Sequence, residues 1–306
     1  MKSNERISQI LVDTKAYRDL DDPVILTSGQ LGIYFINTEK ILQDNGGWEK
    51  FGENSAELIK HSIQIMEKNP NFKEAINIMA HEMVSYVTDE VMEDENYVMA
   101  GGQRRDWIFS GPIAHILEAP HISLYKQTEG KPDRIEVIDF KGNKINDFNI
   151  GGLYSILFSD LITEGSSQYK KVNGVEKGWI PMLRERGSIV EHVGVVVTRL
   201  QGGEENLKKL GIETHSFVAI DEDFLRTYST NPERALAYQS NPTAWSEMYL
   251  RENGALSLVK AFDPNAKDRR DKLFLSRYGE ILKEAGKFGE LEDAVKQNYN
   301  IEIGGI

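Results

Sequence analysis

Residues whose types suit a sugar phosphate follow an apolar stretch near the middle of the chain. Residues 154–158 read YSILF, a predicted strand, and residues 159–167, SDLITEGSS, come directly after it. Asp160, at the end of this strand, can accept hydrogen bonds from two neighbouring ribose hydroxyls. Gly165 allows a positive φ and a close approach of the backbone to a ligand. The residues predicted to surround a phosphate with hydroxyls and backbone amides are Thr163, Glu164, Gly165, Ser166 and Ser167.

The same residue types also occur in turns that bind nothing. Aspartate, threonine, glycine and serine are common in turns and at helix N-termini, where they cap backbone N–H groups. The segment after Asp160 is therefore either a phosphate-binding loop or a plain turn from a strand into a helix. The residues by themselves leave both interpretations open.

A second group of residues with anion-binding chemistry lies in the sequence AGGQRRDW. Gly102 and the glycine before it open the backbone, and Arg104 and Arg105 offer donors in the fork geometry that fits phosphate oxygens. Asp106 is predicted to be the N-cap of a helix that begins near Trp107. The alternative is a pair of solvated arginines at the start of that helix.

The elements that must position these loops alternate between strands and helices. Predicted strands cover residues 97–101, 121–125, 134–140, 154–158, 193–198 and 215–220, and predicted helices cover residues 73–91, 107–117, 179–186 and 204–210. This alternation predicts an α/β fold, with a parallel sheet that has helices on both faces. Ligands bind at the carboxyl ends of such strands, which is where both loops lie.

The chain divides into three predicted regions. Residues 1–71 hold a polar helix, a strand pair that turns near Ser28 and Gly29, and an amphipathic helix over residues 55–67. Residues 72–225 form the α/β core. Residues 226–306 are predicted to be a helical extension, and its breaks are marked by Pro232, Pro242 and Pro264.

The composition excludes several classes of protein. The chain has 306 residues, of which 40% are hydrophobic and 27% are charged, as in ordinary globular proteins. It contains no cysteine, which removes disulfides, thiolate zinc sites and a cysteine nucleophile. The net charge of −12 argues against nucleic-acid binding. We find no signal-peptide pattern and no run near the ~20 apolar residues of a membrane span, so we expect a cytoplasmic protein that does not bind membranes.

Three segments, in this order along the chain, resemble type I phosphoribosyltransferases of the orotate branch. Residues 24–37, which contain VILTSGQ and YFIN, resemble the segment that helps form a hood over the base. AGGQRRDW follows the first core strand, where this family has its pyrophosphate loop. Residues 154–167 resemble the signature for phosphoribosyl pyrophosphate (PRPP), with Asp160 at its second acidic position. The resemblance covers about residues 24–220.

The resemblance implies a fold, an activity and an assembly. The implied fold is the type I phosphoribosyltransferase fold, a Rossmann-like parallel sheet flanked by helices, here with an N-terminal hood and a C-terminal helical extension. The implied activity is transfer of the phosphoribosyl group from PRPP to a nucleobase, with orotate as the nearest match. The reaction would require Mg²⁺, held mainly by substrate oxygens and not by a protein metal site. The implied assembly is a homodimer.

The resemblance also implies roles for individual residues. Asp160 and Lys126 would be catalytic, with Asp160 on the ribose hydroxyls and the loop after it on the 5-phosphate. Arg104, Arg105 and Lys126 would contact the pyrophosphate. Near the base the resemblance places Ser28, Gly29 and Tyr34.

The sequence departs from the family pattern at several positions. Ser159 stands where the family usually has a first acidic residue, and Glu164 stands where a small residue is usual. Thr27 replaces a common lysine. The interval from Lys126 to Arg134 is short and lacks the His-Gly pair of the family's closing loop. These departures support an alternative function, a non-catalytic sensor of PRPP or of a nucleotide.

The remaining conspicuous residues are predicted to be structural. His115, His121, His192 and His215 are scattered along the sequence, and each is expected to be a packing or surface residue. The sequence His81-Glu82 lacks the second histidine of a zinc-protease helix. The aromatic residues of the tail, at helical spacing, are predicted to be packing surface. They are Trp245, Tyr249, Phe274 and Tyr278.

Overall fold

A seven-stranded sheet forms the centre of the protein in a computed structural model, which describes residues 3–26, 29–87, 96–127, 132–266 and 270–303. Numbered along the chain and listed in spatial order, its strands are β11 (Glu213–Ala219), β10 (His192–Thr198), β7 (Tyr154–Ile162), β3 (Tyr97–Gly102), β4 (His121–Tyr125), β5 (Arg134–Ile138) and β6 (Lys144–Ile145). Neighbouring strands from β11 to β4 are parallel. The predicted α/β fold with a parallel sheet is therefore confirmed.

The edge formed by β5 and β6 departs from the parallel prediction. Strand β5 pairs antiparallel with β4, with Tyr125 opposite Arg134, and β6 pairs antiparallel with β5. A parallel connection needs a crossover of about a dozen residues or more. Only residues 126–133 separate the two strands, so β4 and β5 form a hairpin.

Helices cover both faces of the sheet. They are α1 (Ser3–Asp13), α2 (Ser55–Lys68), α3 (Pro70–Tyr86), α4 (Arg105–Ile116), α5 (Trp179–Arg184) and α6 (Gly203–Lys208), with 3₁₀ helices at Thr38–Leu42 and Gly47–Phe51. On one face, Trp179 and Ile180 of α5 share a buried core with Leu157 of β7. On the other face, α4 packs so closely that a Cβ on Gly101 would lie 2.2 Å from the Ser110 hydroxyl.

Local capping explains why α3 begins earlier than predicted. Asn69 accepts hydrogen bonds from the N–H groups of Asn71 and Phe72, and Pro70 occupies the first turn. Proline at this position loses no intrahelical hydrogen bond. The helix therefore starts at Pro70 rather than at residue 73, and the predicted residues 88–91 lie outside the described residues.

The chain forms two compact units, and their limits differ from the three predicted regions. One unit comprises residues 1–16 and 37–221, and the other comprises residues 17–36 and 222–306. The second unit contains β1 (Tyr17–Ile25), β2 (Leu31–Ile36), α7 (Glu222–Tyr228), α8 (Pro232–Ser240), α9 (Pro242–Asn253), α10 (Asp271–Glu284), α11 (Phe288–Tyr299) and a 3₁₀ helix at Leu256–Phe262. The strand pair joins the C-terminal helices through contacts such as the 2.8 Å hydrogen bond from the Tyr238 hydroxyl to the Leu31 carbonyl. These contacts join residues that are far apart in the sequence, so local sequence patterns do not indicate the limits of the two units.

Aromatic packing forms the interior of this second unit. Trp245, Phe274 and Tyr278 are buried, as predicted from their spacing. Pro232 and Pro242 each begin a helix, and the preceding asparagine side chain caps it.

Among the described residues, no helix combines the length and the apolarity that a membrane crossing requires.

Close packing between the sheet and α3 predicts the effect of adding a methyl group at Gly194. A Cβ there would lie 2.6 Å from the Phe158 ring and 3.0 Å from the Met83 sulfur, and both side chains are buried. Gly194→Ala should lower the free energy of unfolding by about 1–3 kcal/mol, measured by urea denaturation. In the control Gly289→Ala, the new Cβ meets no atom within 4 Å, and alanine has the higher helix propensity, so stability should be unchanged or up to about 1 kcal/mol higher. Equal stability of the two variants would contradict this packing.

Candidate active site

Asp160 lies inside strand β7 and not in a loop after it. The predicted strand ends at residue 158, whereas β7 continues to Ile162. The extension forms because Leu161 and Ile162 pair with Val197 and Thr198 of β10. The prediction that the loop begins at residue 159 was therefore wrong, since the sheet continues wherever a partner strand is present.

Two side chains hold the Asp160 carboxylate at the carboxyl edge of the sheet. The Thr38 hydroxyl donates to Oδ2 at 2.8 Å, and Nε of Arg105 lies 3.5 Å from the same oxygen. Asp160 is only 7% exposed, and its negative charge raises the pKa of Arg105. A carboxylate has about four acceptor positions, so these contacts leave acceptor capacity for ribose hydroxyls.

Asp106 bridges strands β3 and β7 near their carboxyl ends. Its carboxylate accepts one hydrogen bond from the Gly102 N–H at 3.0 Å and another from the Asp160 N–H at 2.9 Å. The predicted N-cap role is wrong, because α4 begins at Arg105 and Asp106 lies in its first turn. Burial, together with the charge of Asp160, raises the pKa of Asp106 well above its ordinary value.

The turn after β7 presents a row of backbone donors. Within the described residues, the N–H groups of Glu164, Gly165, Ser166 and Ser167 donate to no other group. Gly165 has φ +77°, and a Cβ there would lie 3.3 Å from the Gly203 carbonyl. Consecutive amides of this kind form a concave anion-binding surface. The geometry thus favours a phosphate-binding loop over a plain turn.

A short hairpin separates this turn from the next helix. It consists of β8 (Lys170–Val172) and β9 (Val175–Lys177), both exposed along their length. The turn and helix α5 are still joined directly, because the Trp179 and Ile180 N–H groups donate to the Ser167 and Gln168 carbonyls. The prediction of a turn leading straight into a helix is therefore corrected, since residues 170–177 extend away from a continuous backbone turn.

The two departures from the PRPP signature have distinct placements. Glu164 is exposed to solvent. The Ser159 hydroxyl is fully buried and accepts a 2.8 Å hydrogen bond from the Gln168 side chain. The two adjacent acidic positions of the signature are Ser159 and Asp160 of β7, and of these two residues only Asp160 supplies a carboxylate.

The two arginines of the glycine-arginine loop, which is the segment AGGQRRDW at residues 100–107, point in different directions. Arg105 faces Asp160, whereas the Arg104 guanidinium lies 5.1 Å from the ring of Trp48 and donates to the Gly52 carbonyl at 3.3 Å. The Gln103–Arg104 peptide bond in this loop is cis. A Cβ on Gly102 would lie 2.2 Å from Trp179, so this position requires glycine.

Lys126, which directly follows strand β4, contacts the turn after β7. Its ammonium lies 3.4 Å from the Ser167 hydroxyl and 5.1 Å from the centre of the Trp179 ring. Desolvation by burial, with the positive charges of Lys170 and Arg105, lowers the pKa of Lys126. The predicted residues Lys126 and Ser167 are thus brought together. Lys131, a second lysine of this interval, lies outside the described residues.

A cleft of about 610 Å³ borders this group of residues. Among the described residues, three lysines line it: Lys126, just after β4, and Lys170 and Lys177 from the β8–β9 hairpin. Ser166, Ser167 and Trp179 also line it, along with the acidic residues Asp133, Glu176 and Glu185. The cleft therefore adjoins the turn after β7, and the β8–β9 hairpin contributes two of the lysines that line it.

The predicted base-contacting residues belong to the second unit. Ser28, like Thr27, lies outside the described residues. Gly29 has φ +79°, and a Cβ there would lie 2.9 Å from the Leu273 backbone. Tyr34 is fully buried, with its ring 5.7 Å from the rings of Tyr17 and Tyr238. Their contact with a base stays a prediction.

His121 is a core residue, as predicted. It is buried in contact with the Ser110 hydroxyl at 2.8 Å and the Ser123 hydroxyl at 3.3 Å. Burial lowers its pKa to about 3, so the ring is neutral at physiological pH. It has no geometry of a catalytic acid or base.

Several residues of the site were missed by the sequence reasoning. Thr38 reaches Asp160 from a 3₁₀ helix 122 positions away along the chain, and no local pattern indicates that contact. Gly203 packs under the turn after β7, where its N–H donates to the Thr163 carbonyl at 3.1 Å. The spacing of Lys170 and Lys177 around a turn centred on Asn173-Gly174 is a hairpin signal that a search for strand pairs would find.

Comparison with known proteins gives matches in sequence and in structure. No model of a known protein family matches the chain. The chain is 28% identical over 142 residues to an orotate phosphoribosyltransferase of Methanocaldococcus jannaschii, covering 46% of this chain and 70% of that protein. It is 26% identical over 223 residues to an orotate phosphoribosyltransferase of Aquifex aeolicus, covering 72% and 98%. A crystal structure of orotate phosphoribosyltransferase from Aeropyrum pernix aligns over 72% of this chain and 97% of that chain, at 16% identity and a TM-score of 0.48.

The sequence matches give the class of protein that this chain resembles. The chain is similar to type I phosphoribosyltransferases. Within that class, both relatives named above are orotate phosphoribosyltransferases, so the chain is orotate phosphoribosyltransferase-like. The resemblance predicted from the three motifs is confirmed.

The hydrogen bond between Thr38 and Asp160 predicts a measurable contribution to stability. Thr38→Val keeps the side-chain shape but removes the donor to a nearly buried carboxylate. The free energy of unfolding should fall by about 1–2 kcal/mol. Thr38→Ser retains the hydroxyl and should lose less than half as much. Chemical denaturation of both variants measures the difference, and a Thr38→Val protein as stable as the parent would exclude this contact.

Proposed function

We propose that the chain is a Mg²⁺-dependent phosphoribosyltransferase that uses PRPP and a nucleobase, with orotate as the preferred base. The observation that carries the proposal is the row of free backbone amides from Glu164 to Ser167, directly after the strand that holds Asp160. A phosphate bound by these amides would place the attached ribose near the Asp160 carboxylate. The sequence relatives named orotate phosphoribosyltransferase support the choice of substrates.

The proposed reaction exchanges one bond at the ribose for another. The bond between ribose C1 and a pyrophosphate oxygen breaks, and its electron pair leaves with the pyrophosphate. A ring nitrogen of the base forms the new bond to C1 and loses its proton. The ribose is cationic at the transition state, so negative charge on Asp160 near its hydroxyls and positive charge near the leaving group both favour the reaction.

Cations beside the cleft would bind the pyrophosphate. Lys126 reaches the turn after β7, and Lys170 and Lys177 line the same cleft from the hairpin. Arg105 is the arginine of the AGGQRRDW loop that faces Asp160. Mg²⁺ would be held mainly by substrate oxygens, as this ion usually is. The proposal includes a homodimer, the assembly that the family resemblance implies.

A second candidate function is a sensor that binds PRPP or a nucleotide without turnover. The observation that favours it is Ser159, whose buried hydroxyl bonds to Gln168 where the family pattern has an acidic residue. With a single carboxylate at this strand end, the grip on the ribose hydroxyls is weaker than the family pattern provides. Binding is common to both candidates, and release of pyrophosphate separates them.

The first test is a calorimetric titration with PRPP and Mg²⁺. The parent protein should bind PRPP, and Asp160→Asn should bind it about 10- to 100-fold more weakly, because charge-assisted hydrogen bonds contribute about 1.5–3 kcal/mol. Asp147→Asn, an exposed change in the same unit, is the control and should bind as the parent does. An Asp160→Asn protein with parental affinity would exclude the proposed ribose contact.

Adding orotate to the same sample then tests catalysis. Release of pyrophosphate that depends on orotate supports the transferase. Binding of PRPP without release, with orotate and with other nucleobases, supports the sensor. Absence of PRPP binding contradicts both candidates.

The hairpin lysines give a further prediction, measured with inorganic pyrophosphate as the ligand. Lys170→Ala and Lys177→Ala each remove a positive charge that lines the cleft. Each should weaken pyrophosphate binding about 3- to 5-fold at low ionic strength, within the range for an exposed charge. Lys171→Ala changes the same hairpin but not the lining of the cleft, so its affinity should stay within twofold of the parent. Equal losses for Lys170 and Lys171 would mean that only the overall charge matters.

A further inference from the structure

Two histidines and a glutamate meet at the amino ends of strands β10 and β11. His192 begins β10 and pairs in register with Glu213, the first residue of β11, and His215 lies two residues further along β11. Side chains two positions apart on a strand share a face of the sheet. The nearest ligand atoms of the three residues all lie within 4.8 Å of one another.

The spacing of these atoms fits a tetrahedral metal ion. With Zn²⁺–ligand bonds of about 2.0–2.1 Å, tetrahedral geometry separates ligand atoms by about 3.3–3.4 Å. The distance from His192 Nδ1 to His215 Nε2 is 3.3 Å. Glu213 Oε2 lies 3.9 Å from the first nitrogen and 4.0 Å from the second. The Glu213 side chain is 72% exposed, so a rotation that shortens both distances meets little packing resistance.

The surroundings hold the two imidazoles in place. His192 is buried, and the His215 ring stacks on Tyr86 of α3 at 4.4 Å with an angle of 10° between the planes. Fixed ligand orientation lowers the entropy cost of binding a metal. The cluster also comprises two of the chain's six histidines, and the chain has no cysteine to compete for a soft metal.

We propose that His192, Glu213 and His215 bind a divalent transition-metal ion, Zn²⁺, with water as the fourth ligand. Two imidazoles and one carboxylate match the preferences of Zn²⁺ and not those of Mg²⁺, which favours oxygen ligands. The ion links β10 to the outermost strand β11. It therefore stabilises the edge of the sheet.

This site is separate from the proposed phosphoribosyl site. Strands β7, β10 and β11 are parallel, so their amino ends lie at the sheet edge opposite to the turn after β7. A strand of seven residues spans about 20 Å. Metal binding at this cluster does not depend on whether the chain transfers a phosphoribosyl group.

The test is a titration of tag-free, chelator-treated protein with ZnCl₂ against a chromophoric chelator, with no PRPP present. We expect one Zn²⁺ per chain with a Kd at or below the micromolar range. Glu213→Gln should weaken binding at least tenfold, and His215→Gln should remove stoichiometric binding. His81→Gln is the matched control, since His81 is an exposed histidine whose ring is hydrogen-bonded to the Asn77 carbonyl of its own helix. It should bind as the parent does.

Thermal unfolding provides the second readout. Saturating Zn²⁺ should raise the Tm of the parent and of His81→Gln by about 5 °C, and should leave the Tm of Glu213→Gln nearly unchanged. Should His215→Gln unfold without metal, Glu213→Gln decides the question, because its changed side chain is exposed. No stoichiometric binding by the parent, or parental affinity in Glu213→Gln, would overturn the proposal and leave a hydrogen-bonded histidine pair.

Discussion

One buried carboxylate, that of Asp106, sets the geometry at the carboxyl edge of the sheet. It accepts hydrogen bonds from the N–H groups of Gly102, the last residue of β3, and of Asp160, near the carboxyl end of the adjacent parallel strand β7. Burying a carboxylate without donors costs much free energy, so this position is stable only while both amides are in place. The glycine-arginine loop and the Asp160 carboxylate therefore keep a constant separation. The proposed grip on ribose and pyrophosphate depends on that separation.

Two lysines of the cleft come from a hairpin that the sequence analysis did not predict. Residues 126–133 connect β4 and β5 as a hairpin and are too few for a long closing loop. The β8–β9 hairpin lies between the turn after β7 and helix α5, and two of its lysines line the cleft that Lys126 also lines. The backbone hydrogen bonds from α5 to Ser167 and Gln168 bypass this hairpin. The hairpin can therefore vary in sequence and length without disturbing the turn.

The two edges of the parallel sheet carry different chemistry. The carboxyl edge has free amides, a carboxylate and lysines, a combination suited to a phosphorylated sugar. The amino edge has paired imidazoles beside an exposed carboxylate, a combination suited to a transition metal. Parallel strands separate these groups because each strand brings its two ends to opposite edges. Stabilisation at one edge is thus compatible with ligand exchange at the other.

Local patterns in the sequence were enough to predict the α/β class, six of the seven strands of the central sheet, and the segments that carry Asp160, Arg105 and the turn around Gly165. These follow from local patterns, because apolar runs, glycines and hydroxyl residues act over a few positions. Which side chains come into contact depends on the tertiary structure. Thr38 reaches Asp160, Ser159 turns to Gln168, and His192 meets His215 only through the register of β10 with β11. The tertiary structure also extended β7 through Asp160, since pairing with β10 outweighs the turn tendency of the residues. Contacts between distant positions depend on packing and strand register, and the residue spacing within one segment predicts neither of them.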